Sequence, residues 1–201
     1  MRLLLIRHGQ TDSNVNHLLD TLHPGAPLNA TGLAQAQALV QTLAHEPIEA
    51  VYASTLPRAQ ETAAPLAAAR GLEVQVIDGL QEISAGVEDM NSDWRRYVEV
   101  LSSWSPTNLD VGLPEGETAR EFVARYSGAL RQIEAAGHSV AALVSHGAAL
   151  RTWGLVVCPS APLDVARPLE NTEWLELEGS SDEGWRLTRW AGVPVDEVRP
   201  A

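Results

Sequence analysis

The chain has 201 residues, 45% of them hydrophobic, and a formal net charge of -12. It is long enough to bury a substantial core and too acidic for a nucleic-acid or anionic-membrane surface, both of which favour basic patches. All 14 basic residues are arginine, which excludes chemistry built on a phosphate-loop or Schiff-base lysine, and the single Cys158 excludes an internal disulfide or a multi-thiolate zinc site.

In chain order, the first apolar run, Leu3 to Ile6, reads as a buried strand and breaks off into Arg7, His8, Gly9, Gln10 and Thr11. Asn29 is a suitable N-cap for a helix from about Ala30 to Ala44, with Leu33, Ala36, Val40 and Leu43 along one face. A strand at 49 to 53 leads to Ser54, Thr55, Leu56, Pro57 and Arg58. The helix that follows uses Pro57 near its start and Gly71 as its stop, and gives way to a third strand, Val74 to Ile77, ahead of Glu82.

From about 86 to 116 the alternation pauses. Trp94, Tyr97, Val98 and Leu101 suggest a short amphipathic helix before a Ser/Pro/Asn-rich loop, and this stretch is expected to roof a pocket. A helix from Glu117 to Ala135, with Phe122, Tyr126, Leu130 and Ile133 on one stripe, feeds a fourth strand, Val140 to Val144, which ends in Ser145, His146 and Gly147. Thr172 to Leu177 and Trp185 to Trp190 alternate as a terminal antiparallel hairpin. Strands alternating with helices predict parallel pairing with helical crossovers, and ligands of such sheets sit outside the carboxyl ends of the strands. Arg7, His8, Arg58, Glu82 and His146 can therefore share one pocket.

No apolar run approaches the roughly 20 residues of a membrane span, and the start lacks a signal peptide's apolar stretch and cleavage site, so a soluble, cytoplasmic protein is expected. No linker divides the chain, so residues 1–201 are read as one domain. Cys158, in an apolar run with no basic neighbour in sequence, reads as a buried, unreactive thiol. His17, His23, His45 and His138 lack metal-ligand spacing, so neither a metal nor another cofactor is expected.

The motif Leu5-Ile6-Arg7-His8-Gly9-Gln10-Thr11 with Asn14 resembles the histidine phosphatase superfamily, the phosphoglycerate-mutase-like proteins. The resemblance continues through Ser54 to Thr62, Leu80-Gln81-Glu82, Pro114-Glu115-Gly116-Glu117-Thr118 and Val144-Ser145-His146-Gly147, in family order. It implies a three-layer α/β/α sandwich around a mostly parallel sheet, and a phosphohistidine mechanism on a small phosphorylated metabolite. His8 is then the nucleophile, kept neutral by Arg7, Arg58 and His146; the two arginines are forked donors to phosphate oxygens. The resemblance makes His146 a further member of the phosphate pocket and Glu82 the proton donor, with a carboxyl pKa raised by the bound phosphate. It makes Thr11 and Asn14 phosphate-binding, though both also read as turn or cap residues, and Gly147, with Gly9, allows close backbone approach.

A phosphomonoesterase is the leading expectation. A cofactor-dependent phosphoglycerate mutase is the rival, disfavoured because Glu88, Asp89, Asp93 and Glu99 make the insertion mostly acidic, with only Arg95 and Arg96 to compensate. The stretch Gly86 to Met90 departs from the Trp-Glu-Gly signature of many relatives and leaves the phosphoester open, as oligomeric state is left open. A noncatalytic phospho-ligand module is a third reading, disfavoured by the presence of both His8 and Glu82.

Overall fold

The computed structural model describes residues 1–105, 107–158 and 167–195. Pro106, Pro159 beside Cys158 and the end of the expected domain, 196–201, lie outside them. The described elements run β1 (Arg2–Arg7), α1 (Asp12–Val15), α2 (Ala30–Thr42), β2 (Ala50–Ala53), α3 (Pro57–Ala68), β3 (Val74–Val76), a 3₁₀ turn (Gly86–Glu88), α4 (Arg95–Ser103), α5 (Ala119–Ala135), β4 (Val140–Ser145), α6 (Gly147–Val157), β5 (Trp174–Ser180), β6 (Gly184–Trp190) and β7 (Val193–Pro194).

The strands form one sheet of order β3-β2-β4-β1-β5-β6-β7. Pairing is parallel from β3 to β1 and antiparallel from β1 through β7. Side chains alternate across it. Leu4, Ile6, Val51, Ala53, Ala142 and Val144 pack against Leu39 of α2 and Ala59, Ala63 and Leu66 of α3. Leu3, Leu5, Tyr52, Ala141 and Leu143 face the opposite layer, with Phe122, Tyr126 and Ile133 of α5 and Leu150 and Trp153 of α6. This is the expected α/β/α sandwich. Burial on both faces explains why β1 and β4 read as continuous apolar runs rather than alternating ones.

Three expectations shift. Helix α2 ends at Thr42, not near Ala44, and its buried positions are Gly32, Ala36 and Leu39, followed by the C-cap Leu43. Leu33 is 54% exposed, so the inward face lies one residue from the apolar stripe read in the sequence. Strand β3 is a partly exposed edge of three residues. Helix α6 follows the histidine after β4 directly.

The 86–116 segment is fastened to the loop after α1. The backbone N–H and hydroxyl of Thr21 donate to Asp89 Oδ1 (2.9 and 2.7 Å), Met90 N–H donates to the Leu19 carbonyl (2.7 Å), and the Trp94 indole N–H donates to the His17 carbonyl (2.7 Å). Tyr97 is buried with its hydroxyl on the Ile83 carbonyl, and Trp104 stacks on Phe122, so these two aromatics pack inward; Trp94 is exposed.

Candidate active site

The registers of the central strands assemble the site. Arg7 of β1 is level with Ser145 of β4, and Ala53 of β2 is level with Val144. The residues that follow, His8, His146 and Ser54, therefore emerge side by side at the carboxyl edge. The N–H of His8 donates to the Ser145 carbonyl (3.0 Å), and that of Ser54 to the Val144 carbonyl (3.1 Å). Glu82 arrives differently, because two strands, β2 and β4, separate β3 from β1. Its loop crosses back over the strand ends, held by the Ser145 hydroxyl donating to the Leu80 carbonyl (2.7 Å).

His8 is buried, and its Nδ1 lies 2.7 Å from the Gly9 carbonyl. A carbonyl only accepts, so Nδ1 carries the proton and Nε2 presents a lone pair. That Nε2 accepts from Arg58 Nε at 3.2 Å. Burial, then the charges of Arg58 and Arg7, hold the His8 pKa well below 6.5, against a smaller upward pull from the Gly9 hydrogen bond. His8 is a neutral imidazole of defined tautomer, the form a nucleophile requires.

The His146 ring centroid is 5.2 Å from that of His8. Its Nε2 is 2.7 Å from the Ser54 hydroxyl, which itself accepts from Leu56 N–H at 3.3 Å. Were the imidazole proton on Nε2, the buried Ser54 hydroxyl would have no acceptor among the described residues for its own proton, so Ser54 donates to Nε2 and the imidazole proton lies on Nδ1. Burial first, then Arg58, His8, Arg125 and Arg7, hold this histidine well below 6.5 as well.

Arg58 is 2% exposed. Its Nη2 donates to the Asp20 carbonyl (2.8 Å) and its Nη1 lies 3.6 Å from Asp20 Oδ1. Burial lowers its pKa, with Asp20 the main opposing charge. Arg7 donates through Nη1 to the Leu169 carbonyl; its pKa is lowered by burial and supported by Glu82, Glu170 and Glu173. A Cβ on Gly147 would stand 3.2 Å from Arg7 Nε, so glycine there gives the guanidinium its space. Gly9 serves the backbone instead: a Cβ there would meet the Gly32 carbonyl of α2 at 2.8 Å.

Among the described residues six buried side-chain polar atoms have no hydrogen-bond partner, and three of them are Arg7 Nε, Arg58 Nη1 and His146 Nδ1. The Glu82 carboxylate accepts from Ile83 and Ala149 N–H through Oε1 (2.9 and 2.7 Å) and from Ala148 N–H through Oε2 (3.0 Å), which seats it on the first turn of α6. Oε2, with a single donor, keeps a lone pair for a proton. Thr11 and Asn14 form a capping box on α1, and Asn14 Oδ1 also accepts from Asn171, whose amide donates to the His8 carbonyl (3.0 Å). The cap reading of these two residues holds, and Asn171 links Asn14 to the His8 backbone.

Sequence reasoning missed Asp20, Asn171 and Arg125 and gave Ser54 no role. Arg125 had a signal: it falls three residues after Phe122, on the inward stripe of α5, where a charge requires partners. Asp20 and Asn171 sit in loops whose path no periodicity reports. Cys158 is buried, as expected, and burial pushes its thiol pKa up.

The model of a family described as the histidine phosphatase superfamily (branch 1) matches residues 3–192. The PE-PGRS family protein PE_PGRS11 of Mycobacterium tuberculosis is 32% identical over 94% of this chain, which spans only 36% of that longer relative. An adenosylcobalamin/alpha-ribazole phosphatase of Escherichia coli is 35% identical over 63% of this chain and 67% of its own length. A probable phosphoglycerate mutase of Yersinia enterocolitica is 31% identical over 75% of this chain and 71% of its own. The structure of a mycobacterial glucosyl-3-phosphoglycerate phosphatase complexed with VO3 superposes with a TM-score of 0.77 at 25% identity, covering 94% of this chain and 98% of that one.

Proposed function

The chain belongs to the histidine phosphatase superfamily, branch 1, and from that premise we propose that it is a phosphomonoesterase acting on a small phosphorylated metabolite through a phosphohistidine at His8. The observation that carries this reading is a buried, neutral His8 whose Nε2 faces Arg58 Nε, in a site where Arg7 Nε, Arg58 Nη1 and His146 Nδ1 are buried without a hydrogen-bond partner. A buried donor left unpaired costs about 1–3 kcal/mol, and a phosphoryl group has the lone pairs to satisfy all three.

In the first step the lone pair of His8 Nε2 attacks phosphorus as the ester P–O bond breaks, and Glu82 gives its proton to the departing oxygen. In the second, Glu82 takes a proton from water, which attacks phosphorus and returns the electron pair to Nε2. Arg7, Arg58 and His146 hold the equatorial oxygens throughout. The Thr11 hydroxyl, the Asn14 amide and the backbone at Gly147 complete the phosphate site. Because Arg58 Nε donates to the attacking lone pair in the ligand-free site, phosphate binding must draw this guanidinium off His8. Charge is met by arginine, so the mechanism needs no metal. The 86–116 segment, joined to the loop that carries Asp20, closes the site from above.

The mutase reading has relatives in its favour. It needs further basic groups for a second anion, and the insertion's Arg95 and Arg96 are already paired with Asp93 (2.6 Å) and Glu88 (2.9 Å). A panel of phosphorylated sugars, nucleotides, glycerates and phosphoamino acids, assayed for free phosphate, separates the two. Release of phosphate with acid-labile labelling of wild type but not of His8→Ala is expected; positional transfer within a phosphoglycerate without phosphate release would establish the mutase instead.

A further inference from the structure

We propose that Arg125, on α5, is a positioning residue that fixes the backbone of the Glu82 loop so that the carboxyl meets the leaving oxygen. The inference rests on the reading of Glu82 as proton donor. A guanidinium has five N–H donors, and here each has its own contact. Nη1 donates to the carbonyls of Gly79 (2.8 Å) and Gln81 (3.0 Å), Nη2 to the carbonyl of Glu82 (2.9 Å) and to Glu117 Oε2 (2.6 Å), and Nε to Glu117 Oε1 (2.5 Å). With all five engaged, Arg125 has no donor left for phosphate, which separates it from Arg7 and Arg58.

The loop it grips is the one that must cross from edge strand β3 over the sheet ends. Gly79 lies so close to α5 that a Cβ there would meet the Arg125 carbonyl at 2.9 Å, at a backbone φ of +95°. Glu117 extends the grip, since its Oε2 also accepts from Ser84 N–H at 3.0 Å. Residues 79, 81, 82 and 84 are thus tied to one ion pair. The far end of Glu82 is held independently by the first turn of α6. Losing Arg125 frees the backbone end and breaks no hydrogen bond of Arg7, Arg58 or His146.

This separation gives the test. Wild type, Arg125→Met, Arg125→Lys, Glu117→Gln and Glu82→Gln are compared on an alkyl phosphate, whose basic leaving oxygen needs the proton, and on p-nitrophenyl phosphate, whose leaving group does not. Arg125→Met should raise the aryl-to-alkyl ratio of kcat/KM by about tenfold or more, in the direction of Glu82→Gln, with inhibition by inorganic phosphate unchanged. Arg125→Lys, with three donors and no planar fork, should rescue little. Should Arg125→Met not fold, Glu117→Gln decides: it keeps the side chain's size and an acceptor for Ser84 while removing half the ion pair. An unchanged ratio in the folded variants, or equal loss on both esters, overturns the assignment of Arg125. An unchanged ratio in Glu82→Gln overturns the proton-donor reading itself, and the inference with it.

Discussion

At the scale of single residues, the site is a problem of tautomers. His8 and His146 are both neutral and buried, and each has one ring nitrogen assigned by a small neighbour: the Gly9 carbonyl for the first, the Ser54 hydroxyl for the second. Ser54→Ala should therefore leave the fold and the His8 phosphoenzyme in place but let the His146 proton move to Nε2, removing a donor from the phosphate pocket. A loss of about 1–3 kcal/mol of transition-state stabilisation, roughly 5- to 150-fold in kcat/KM, is expected. Nitrogen chemical shifts of the imidazole in the ligand-free variant report the tautomer directly; an unchanged His146 signal with unchanged kinetics would count against this role. The candidate site residues Arg7, His8, Arg58 and His146 were legible because they interrupt or closely follow apolar strands. Their partners were not legible. Asp20, Asn171 and Arg125 act on residues 38, 163 and 43 positions away, contacts that no local pattern encodes.

At the scale of elements, strand register decides which residues meet, and helix packing sets how tightly. The strands were readable because β1, β2 and β4 are buried on both faces, and the α5 stripe because Phe122, Tyr126, Leu130 and Ile133 all reach the core. Helix α6 lacked a capping side chain to announce it, since its N-cap is His146 and makes no side-chain cap bond. The face of α2 was misjudged because apolar residues occupy more than one side of it. Gly32, and not Leu33, marks its contact, for a Cβ at Gly32 would come within 2.1 Å of the Gln10 carbonyl, in the loop that follows His8. Backbone cannot yield as a flexible side chain does. Gly32→Ala should push α2 away from that loop, costing about 1–3 kcal/mol of stability as overpacking, together with a fall in kcat. Leu33→Ala, at an exposed position, is the control. Thermal unfolding of the two variants side by side checks this, and equal midpoints would place the close contact elsewhere.

At the scale of the whole molecule, an acidic chain of net charge -12 encloses a local cluster of positive and neutral nitrogen groups, and that arrangement makes stability depend on pH in a defined window. Both histidines have pKa values held well below 6.5 in the folded state, chiefly by burial. In the unfolded chain each takes up a proton near pH 6.5, while in the folded chain each stays neutral, so the unfolded state binds more protons and stability rises with pH across this interval. The histidine contribution is therefore fully present above pH 6.5 and declines as pH falls from there toward the folded pKa values. The limiting slope is about 1.4 kcal/mol per pH unit for each histidine, near twice that for the pair. Urea unfolding between pH 7.5 and 5 should show this decline, and His146→Gln and His8→Gln should each remove about half the slope whatever they do to the absolute stability. Bound inorganic phosphate should also stabilise the protein across the range, since it binds only the folded pocket. A flat profile in wild type between pH 6.5 and 5 would mean that the two imidazoles are solvated enough to take up protons without unfolding, which their burial in this structure does not allow.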